Sequence, residues 1–243
     1  MTETTAPALI LLPGMDGTGE LFQPLITALD GRFELIVLRY PVDQPLDYPA
    51  LQALVRQALP QTRPFVVLGE SFSGPIAVAI AAANNPLLKG LVLCCSFVCN
   101  PRPRLGRLSF LLKLLPLARA PLGAISTVLL GSFATPALRQ SLAQAVAQVA
   151  PRVMQARLRA VVAVDVSQAL RASRVPLLYL RASQDRLVPT RAGERVASLR
   201  PDAQMVTLDG PHCLLQAAPD EAAQLLAGWL TRAGRRAVGE PSS

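Results

Sequence analysis

The chain has 243 residues, 51% of them hydrophobic and 16% charged, with a mean hydropathy of +0.36. It can bury a full core in one or two domains, which excludes a disordered or low-complexity protein. The net charge is +8, yet aromatic residues make up only 5%, so the chain lacks a set of stacking platforms for single-stranded nucleic acid.

One histidine and four cysteines (Cys94, Cys95, Cys99 and Cys213) without metal-ligand spacing argue against a zinc site. Cys94, Cys95 and Cys99 lie within or just after one apolar run and read as reduced core thiols. Met1 to Thr5 contains Glu3 and no base, and the following apolar run, Ala8 to Leu12, is too short for a signal peptide. The most apolar long stretch, Leu108 to Leu130, is interrupted by Lys113, Pro116, Arg119 and Pro121. The expectation is a soluble cytoplasmic protein.

Along the chain, short apolar runs bounded by Gly, Pro or Asp predict strands at 8–12, 34–39, 65–69, 90–96, 176–181 and 204–208. The runs are continuously apolar rather than alternating, as in strands covered on both faces. Helical stretches at 49–59, 74–84, 191–199 and 219–231 separate them, which predicts a doubly wound parallel sheet. From about Pro101 to Ser173 the rhythm breaks. Ala, Leu, Val, Gln and Arg recur there at helical spacing, and Pro116, Pro121, Pro136 and Pro151 cut the stretch into about four short helices. The domain plan is therefore a core of 1–100 and 174–234, a helical lid of 101–173, and a polar tail of 235–243.

Val66-Val67-Leu68-Gly69-Glu70-Ser71-Phe72-Ser73-Gly74 carries the sharpest signal. An apolar strand runs into small-x-Ser-x-small and then into an Ala-rich helix, the pattern of a nucleophile elbow. Ser73 stands where glycine is usual. The bland alternative is a tight packing turn, but the strand before and the helix after favour a catalytic Ser71. His212 follows the last predicted strand, on a loop at the edge where a general base would meet that serine. The third member should be an acid between them. No acid occurs from Ser71 to Val164, whereas Asp185 directly follows the strand at 176–181. Among its rivals, Asp165 falls in the lid, Asp202 precedes its strand, and Asp209 lies too close to His212. The order Ser71, Asp185, His212 is that of α/β-hydrolases. The loop Leu12-Pro13-Gly14-Met15-Asp16-Gly17-Thr18-Gly19 supplies a sharp turn. The backbone N–H groups of Met15 and Phe72 are the predicted oxyanion donors. As a phosphate loop it lacks both the Lys of a P-loop and the third glycine of a dinucleotide fingerprint.

These residues resemble the α/β-hydrolase superfamily over nearly the whole chain. The Pro13–Gly19 loop with Gly69-Glu70-Ser71-Phe72 resembles the hydrolase half of plant phytyl-ester synthases over the first hundred or so residues. Asp165-Val166-Ser167-Gln168-Ala169-Leu170, leading into Val175-Pro176-Leu177, is similar to pimeloyl-ACP methyl ester esterases. The family's His-Gly before the oxyanion residue is here Pro13-Gly14. The chain begins at the oxyanion-loop strand, so the resemblance implies a minimal six-stranded sheet with a helical lid inserted after the fourth strand.

A serine nucleophile with a histidine base favours acyl transfer through an acyl-enzyme and requires no cofactor. The leading expectation is a carboxylic ester or thioester hydrolase acting on apolar acyl groups. The alternatives are acyl transfer to an alcohol, as the phytyl-ester synthase resemblance implies, and a non-catalytic binding or docking module. Phe110, Leu111 and Leu114 are predicted to contact the acyl group from the lid. Between Phe72 and Val164 lie ten bases and no acid. Such a field draws anionic partners, and Arg102, Arg104 and Arg107 are read as a docking patch. The expected partners are a small ester or thioester substrate and an acyl carrier protein, a coenzyme A thioester or an anionic membrane surface. Nucleic acid is disfavoured, because no binding motif accompanies the charge.

Overall fold

The computed structural model describes residues 6–103 and 122–237. Six strands form one sheet: β1 (Ala8–Leu12), β2 (Leu35–Val37), β3 (Phe65–Glu70), β4 (Leu88–Cys94), β5 (Leu177–Ala182) and β6 (Gln204–Leu208). Their order is β2-β1-β3-β4-β5-β6, and every neighbouring pair is parallel. The chain has the α/β-hydrolase fold predicted from its sequence.

Continuous apolarity in the strands follows from the two layers of helix. Ile10, Leu12, Val67, Leu91, Leu93 and Tyr179 face α2 (Tyr48–Ala58) and α3 (Gly74–Ala82) in one buried cluster. The alternate residues Leu9, Leu11, Val66, Leu68, Val92 and Leu180 pack on the other face with α1 (Gln23–Leu29). Because successive strand side chains point to opposite faces, a strand buried on both sides has no polar position to spare. The two edge strands are the exceptions: β2 is half-buried and β6 is largely exposed.

Between β4 and β5 the described residues form α4 (Leu122–Leu129), α5 (Pro136–Ala147), α6 (Pro151–Ala163) and α7 (Ser167–Ala172). Pro136 and Pro151 sit in the first turns of their helices, where the missing N–H costs nothing. The Thr135 hydroxyl accepts from the N–H of Leu138 and caps α5. The two ends of the insertion are stitched together. Cys99 and Asp165 form an antiparallel bridge, Val166 N–H donates to the Val98 carbonyl at 2.7 Å, and Asn100 N–H donates to that of Val164 at 3.2 Å. Entry and exit therefore lie side by side above the C-terminal edge of the sheet.

After β5 come α8 (Thr190–Leu199), then β6, the single turn α9 (Leu214–Ala217) and α10 (Pro219–Ala237). α10 runs past the predicted end at Thr231, into the segment read as tail, because no proline interrupts the chain before Pro241. α1 was not predicted. Its seven residues give too short a window for periodicity, although Leu25 and Leu29 share its buried face. Among the described residues no helix is long and apolar enough to cross a membrane.

Candidate active site

Ser71 occupies the sharp turn from β3 into α3 and has φ +47°, in the left-handed region. That conformation costs on the order of 1–3 kcal/mol and persists only where the surroundings over-determine it. Here they do. The Ser96 hydroxyl donates to the Ser71 carbonyl at 2.6 Å, and the Tyr179 hydroxyl donates to the Ser96 carbonyl at 2.7 Å. A Cβ at position 74 would overlap the Ser96 hydroxyl, which is why glycine follows the elbow.

His212 lies in the loop between β6 and α9. Its Nε2 is 2.9 Å from Ser71 Oγ, and its Nδ1 is 2.8 Å from Asp185 Oδ2. Asp185 comes from the loop after β5, and the side chains of both His212 and Asp185 are only 5% exposed. The other oxygen of Asp185 accepts from the N–H groups of Leu187 and Val188, each at 2.8 Å, which fixes the carboxylate plane. Three side chains spread over 141 residues of sequence thus form one hydrogen-bonded chain. With Asp185 on Nδ1, the neutral imidazole carries its proton there and offers Nε2 as an acceptor for the serine hydroxyl.

The rival acids are engaged elsewhere. Asp165 caps the N–H of Ser167 at 2.8 Å, and Asp202 pairs with Arg200 at 2.6 Å. Asp209 is exposed and accepts from the Ser183 hydroxyl at 2.5 Å. That bond, with one from Gln184, holds its carboxyl below the usual range.

Met15 follows the Pro13-Gly14 turn after β1, and Phe72 directly follows Ser71. The elbow and the turn are tied together by Ser73. Its hydroxyl donates to the Pro13 carbonyl and accepts from the Tyr40 hydroxyl, 2.7 Å away. Burial pushes the Tyr40 phenol well up, so it remains a donor. The departure from glycine at position 73 therefore supplies a side-chain link. Phe72 is clamped as well: Tyr48 stacks on its ring with centroids 4.8 Å apart and donates to its carbonyl at 2.9 Å.

Glu70 is not among the site residues predicted from the sequence. Its carboxyl is buried next to Ser71 in the chain and accepts from Gln216 Nε2 at 3.0 Å, linking the elbow to α9. Burial is the main reason its pKa is pushed up to about 7, and the neighbouring Asp16 adds to the shift. An acid ending an otherwise apolar strand was the available signal. Arg157, on α6, is also buried against the Pro13–Gly17 loop. Of the predicted docking patch, Arg102 donates to the carbonyls of Leu187 at 2.9 Å and Arg186 at 2.6 Å, bracing the loop that carries Asp185. Arg104, Arg107, Phe110, Leu111 and Leu114 lie outside the described residues.

Residues 9–225 match the alpha/beta hydrolase family. This chain belongs to that family. It is 30% identical over 226 residues to a pimeloyl-[acyl-carrier protein] methyl ester esterase of Xanthomonas oryzae pv. oryzae, covering 84% of this chain and 87% of that protein. It is also 37% identical over 94 residues to phytyl ester synthase 1 of Arabidopsis thaliana, but that match spans only 13% of the plant protein. Among solved structures, a carboxylesterase of Nitrososphaera gargenis superposes with a TM-score of 0.80 at 16% identity, covering 97% of this chain and 94% of that one. The family and these relatives make the protein a hydrolase.

Proposed function

We propose that the protein is a serine esterase or thioesterase that cleaves apolar acyl groups through an acyl-enzyme on Ser71. The observation that carries this reading is the Ser71–His212–Asp185 hydrogen-bonded chain at a strained strand-to-helix turn. As Ser71 Oγ attacks the ester carbonyl, His212 Nε2 takes its proton, and Asp185 stabilises the resulting imidazolium. The negative charge on the carbonyl oxygen is met by the N–H groups of Met15 and Phe72. Collapse of the tetrahedral intermediate expels the alcohol or thiol, which receives the proton from His212. A water molecule, deprotonated by the same imidazole, then attacks the acyl-serine and releases the acid. No cofactor enters these steps.

The substrate in this reading is a small ester or thioester. An acidic carrier, a coenzyme A thioester or an anionic membrane surface could present the acyl chain to the ten-base stretch that includes the insertion, and the setting is cytoplasmic. The plant relative favours a second outcome for the same acyl-enzyme, capture by an alcohol instead of water. The reading is tested with p-nitrophenyl esters and acyl-thioesters of graded chain length, with and without an added long-chain alcohol. Rates should rise from acetyl towards longer acyl groups. A steady decline with chain length contradicts an apolar acyl site, and no turnover of any substrate favours the binding-module alternative.

A further inference from the structure

Arg157 is the largest fully buried side chain among the described residues, 1% exposed, and it comes from the insertion rather than the sheet. Its Nη1 donates to the Met15 carbonyl at 2.7 Å and to the Asp16 carbonyl at 2.8 Å, while Nη2 donates to the Pro41 carbonyl at 3.0 Å. The guanidinium also lies over the Tyr40 ring, 5.8 Å from its centroid. Gly17 has φ +71°, and a Cβ there would stand 2.7 Å from Nη1, so the loop is shaped around this cation.

Burying a guanidinium is costly unless fixed acceptors replace its water. Here the acceptors are backbone carbonyls. The nearby Asp16 carboxylate is spent on the N–H and hydroxyl of Thr18, at 2.9 and 2.6 Å. Filling the same space would need only a leucine or methionine. What the guanidinium adds is orientation: one nitrogen holds the carbonyls of two successive peptide planes in the turn that follows Gly14. From the other side, Ser73 holds the Pro13 carbonyl, and Ser73 is itself held by Tyr40, whose ring Arg157 covers. The turn is therefore gripped at both ends, with the Gly14–Met15 peptide between the grips.

We propose that Arg157 is a positioning residue for the oxyanion hole: by holding the Met15–Asp16 peptide it fixes one side of the adjoining Gly14–Met15 peptide, whose N–H, that of Met15, meets the developing negative charge. The proposal rests on the serine-hydrolase reading given above. It makes the insertion part of the catalytic apparatus as well as a cover. Holding the Met15 and Asp16 carbonyls on the cation keeps those oxygens from turning towards the place where the oxyanion forms, where they would repel it.

The test compares wild type with Arg157→Met, which keeps the length and loses every donor, and Arg157→Lys, which keeps the charge on a single nitrogen. The readouts are kcat and KM on p-nitrophenyl butyrate, the affinity for an alkyl trifluoromethyl ketone, and thermal unfolding. The ketone matters because it adds to the serine and carries a real oxyanion. For Arg157→Met, kcat should fall about 100-fold, the scale of losing one oxyanion donor, while KM changes less than about threefold. Ketone affinity should fall with kcat, and Arg157→Lys should recover part of both. If Arg157→Met does not fold, Arg157→Lys decides: about a tenfold loss in kcat with a parallel loss of ketone affinity supports the proposal. A variant with wild-type kcat, or one whose stability falls while ketone affinity holds, overturns it. A wild type that neither turns over ester nor binds the ketone overturns the serine-hydrolase reading itself, and this proposal with it.

Discussion

Replacing Glu70 with Gln should stabilise the protein, and by an amount that depends on pH. The Glu70 carboxyl is buried at the end of β3, and its side-chain hydrogen-bond partner is the neutral amide of Gln216. Its pKa in the fold is about 7, against about 4.5 when solvated. Between those values the folded protein holds a proton that the unfolded chain has released. The unfolded state then binds fewer protons, so stability falls as pH rises through this window, and above about pH 8 the loss is complete. A shift of about 2.5 units at 1.36 kcal/mol per unit corresponds to roughly 3 kcal/mol. Glutamine is uncharged throughout and keeps an oxygen for Gln216 Nε2. Glu70→Gln should therefore match wild type near pH 4.5 and exceed it by up to about 3 kcal/mol at pH 8. For a chain of this size that is a rise in Tm of roughly 6–12 °C. Urea unfolding of both proteins from pH 5 to pH 9 measures the difference, in which the other titrating groups cancel. A difference that stays constant across the range, or a variant less stable at pH 8, refutes the reasoning.

Asp185→Asn should lower kcat by about four orders of magnitude, because the amide favours the wrong imidazole tautomer, while Asp209→Asn stays within a few-fold of wild type. Steady-state kinetics on one ester decides, and the reverse ranking moves the acid to Asp209. Ser73→Ala should cost about 1–3 kcal/mol in urea unfolding, since it leaves the buried Tyr40 hydroxyl without its acceptor. An unchanged midpoint would mean that the link between elbow and turn contributes nothing.

Much of this architecture is legible in the sequence, because local rules dominate where both sheet faces are buried. β1 and β6 have the bounds their apolar runs predict, and β3, β4 and β5 differ from theirs by no more than about two residues. Ser71, Asp185 and His212 could be singled out because each follows a readable strand, and a single histidine left no choice of base. What could not be read depends on contacts distant in sequence. Arg157 meets Met15 across 142 residues, and in sequence it is one more arginine on a helix rich in them. Gln216 meets Glu70 across 146 residues, and although an acid ending an apolar strand is visible locally, nothing in the sequence names its partner. Tyr40 reaches Ser73 across 33. β2 is only three residues long and half-buried at the sheet edge, so its apolar run overstated its length. Arg102 shows the same limit for charge. Counted in sequence it belongs to a basic cluster, yet in the fold its guanidinium is engaged by the loop that carries Asp185.

Reaction with a fluorophosphonate, followed by intact-mass and peptide mass spectrometry, asks directly whether Ser71 is the nucleophile. One stoichiometric adduct is expected, located on the peptide containing Ser71, absent from Ser71→Ala and strongly slowed in His212→Ala. A wild-type protein that does not label, or an adduct that persists in Ser71→Ala, would contradict it.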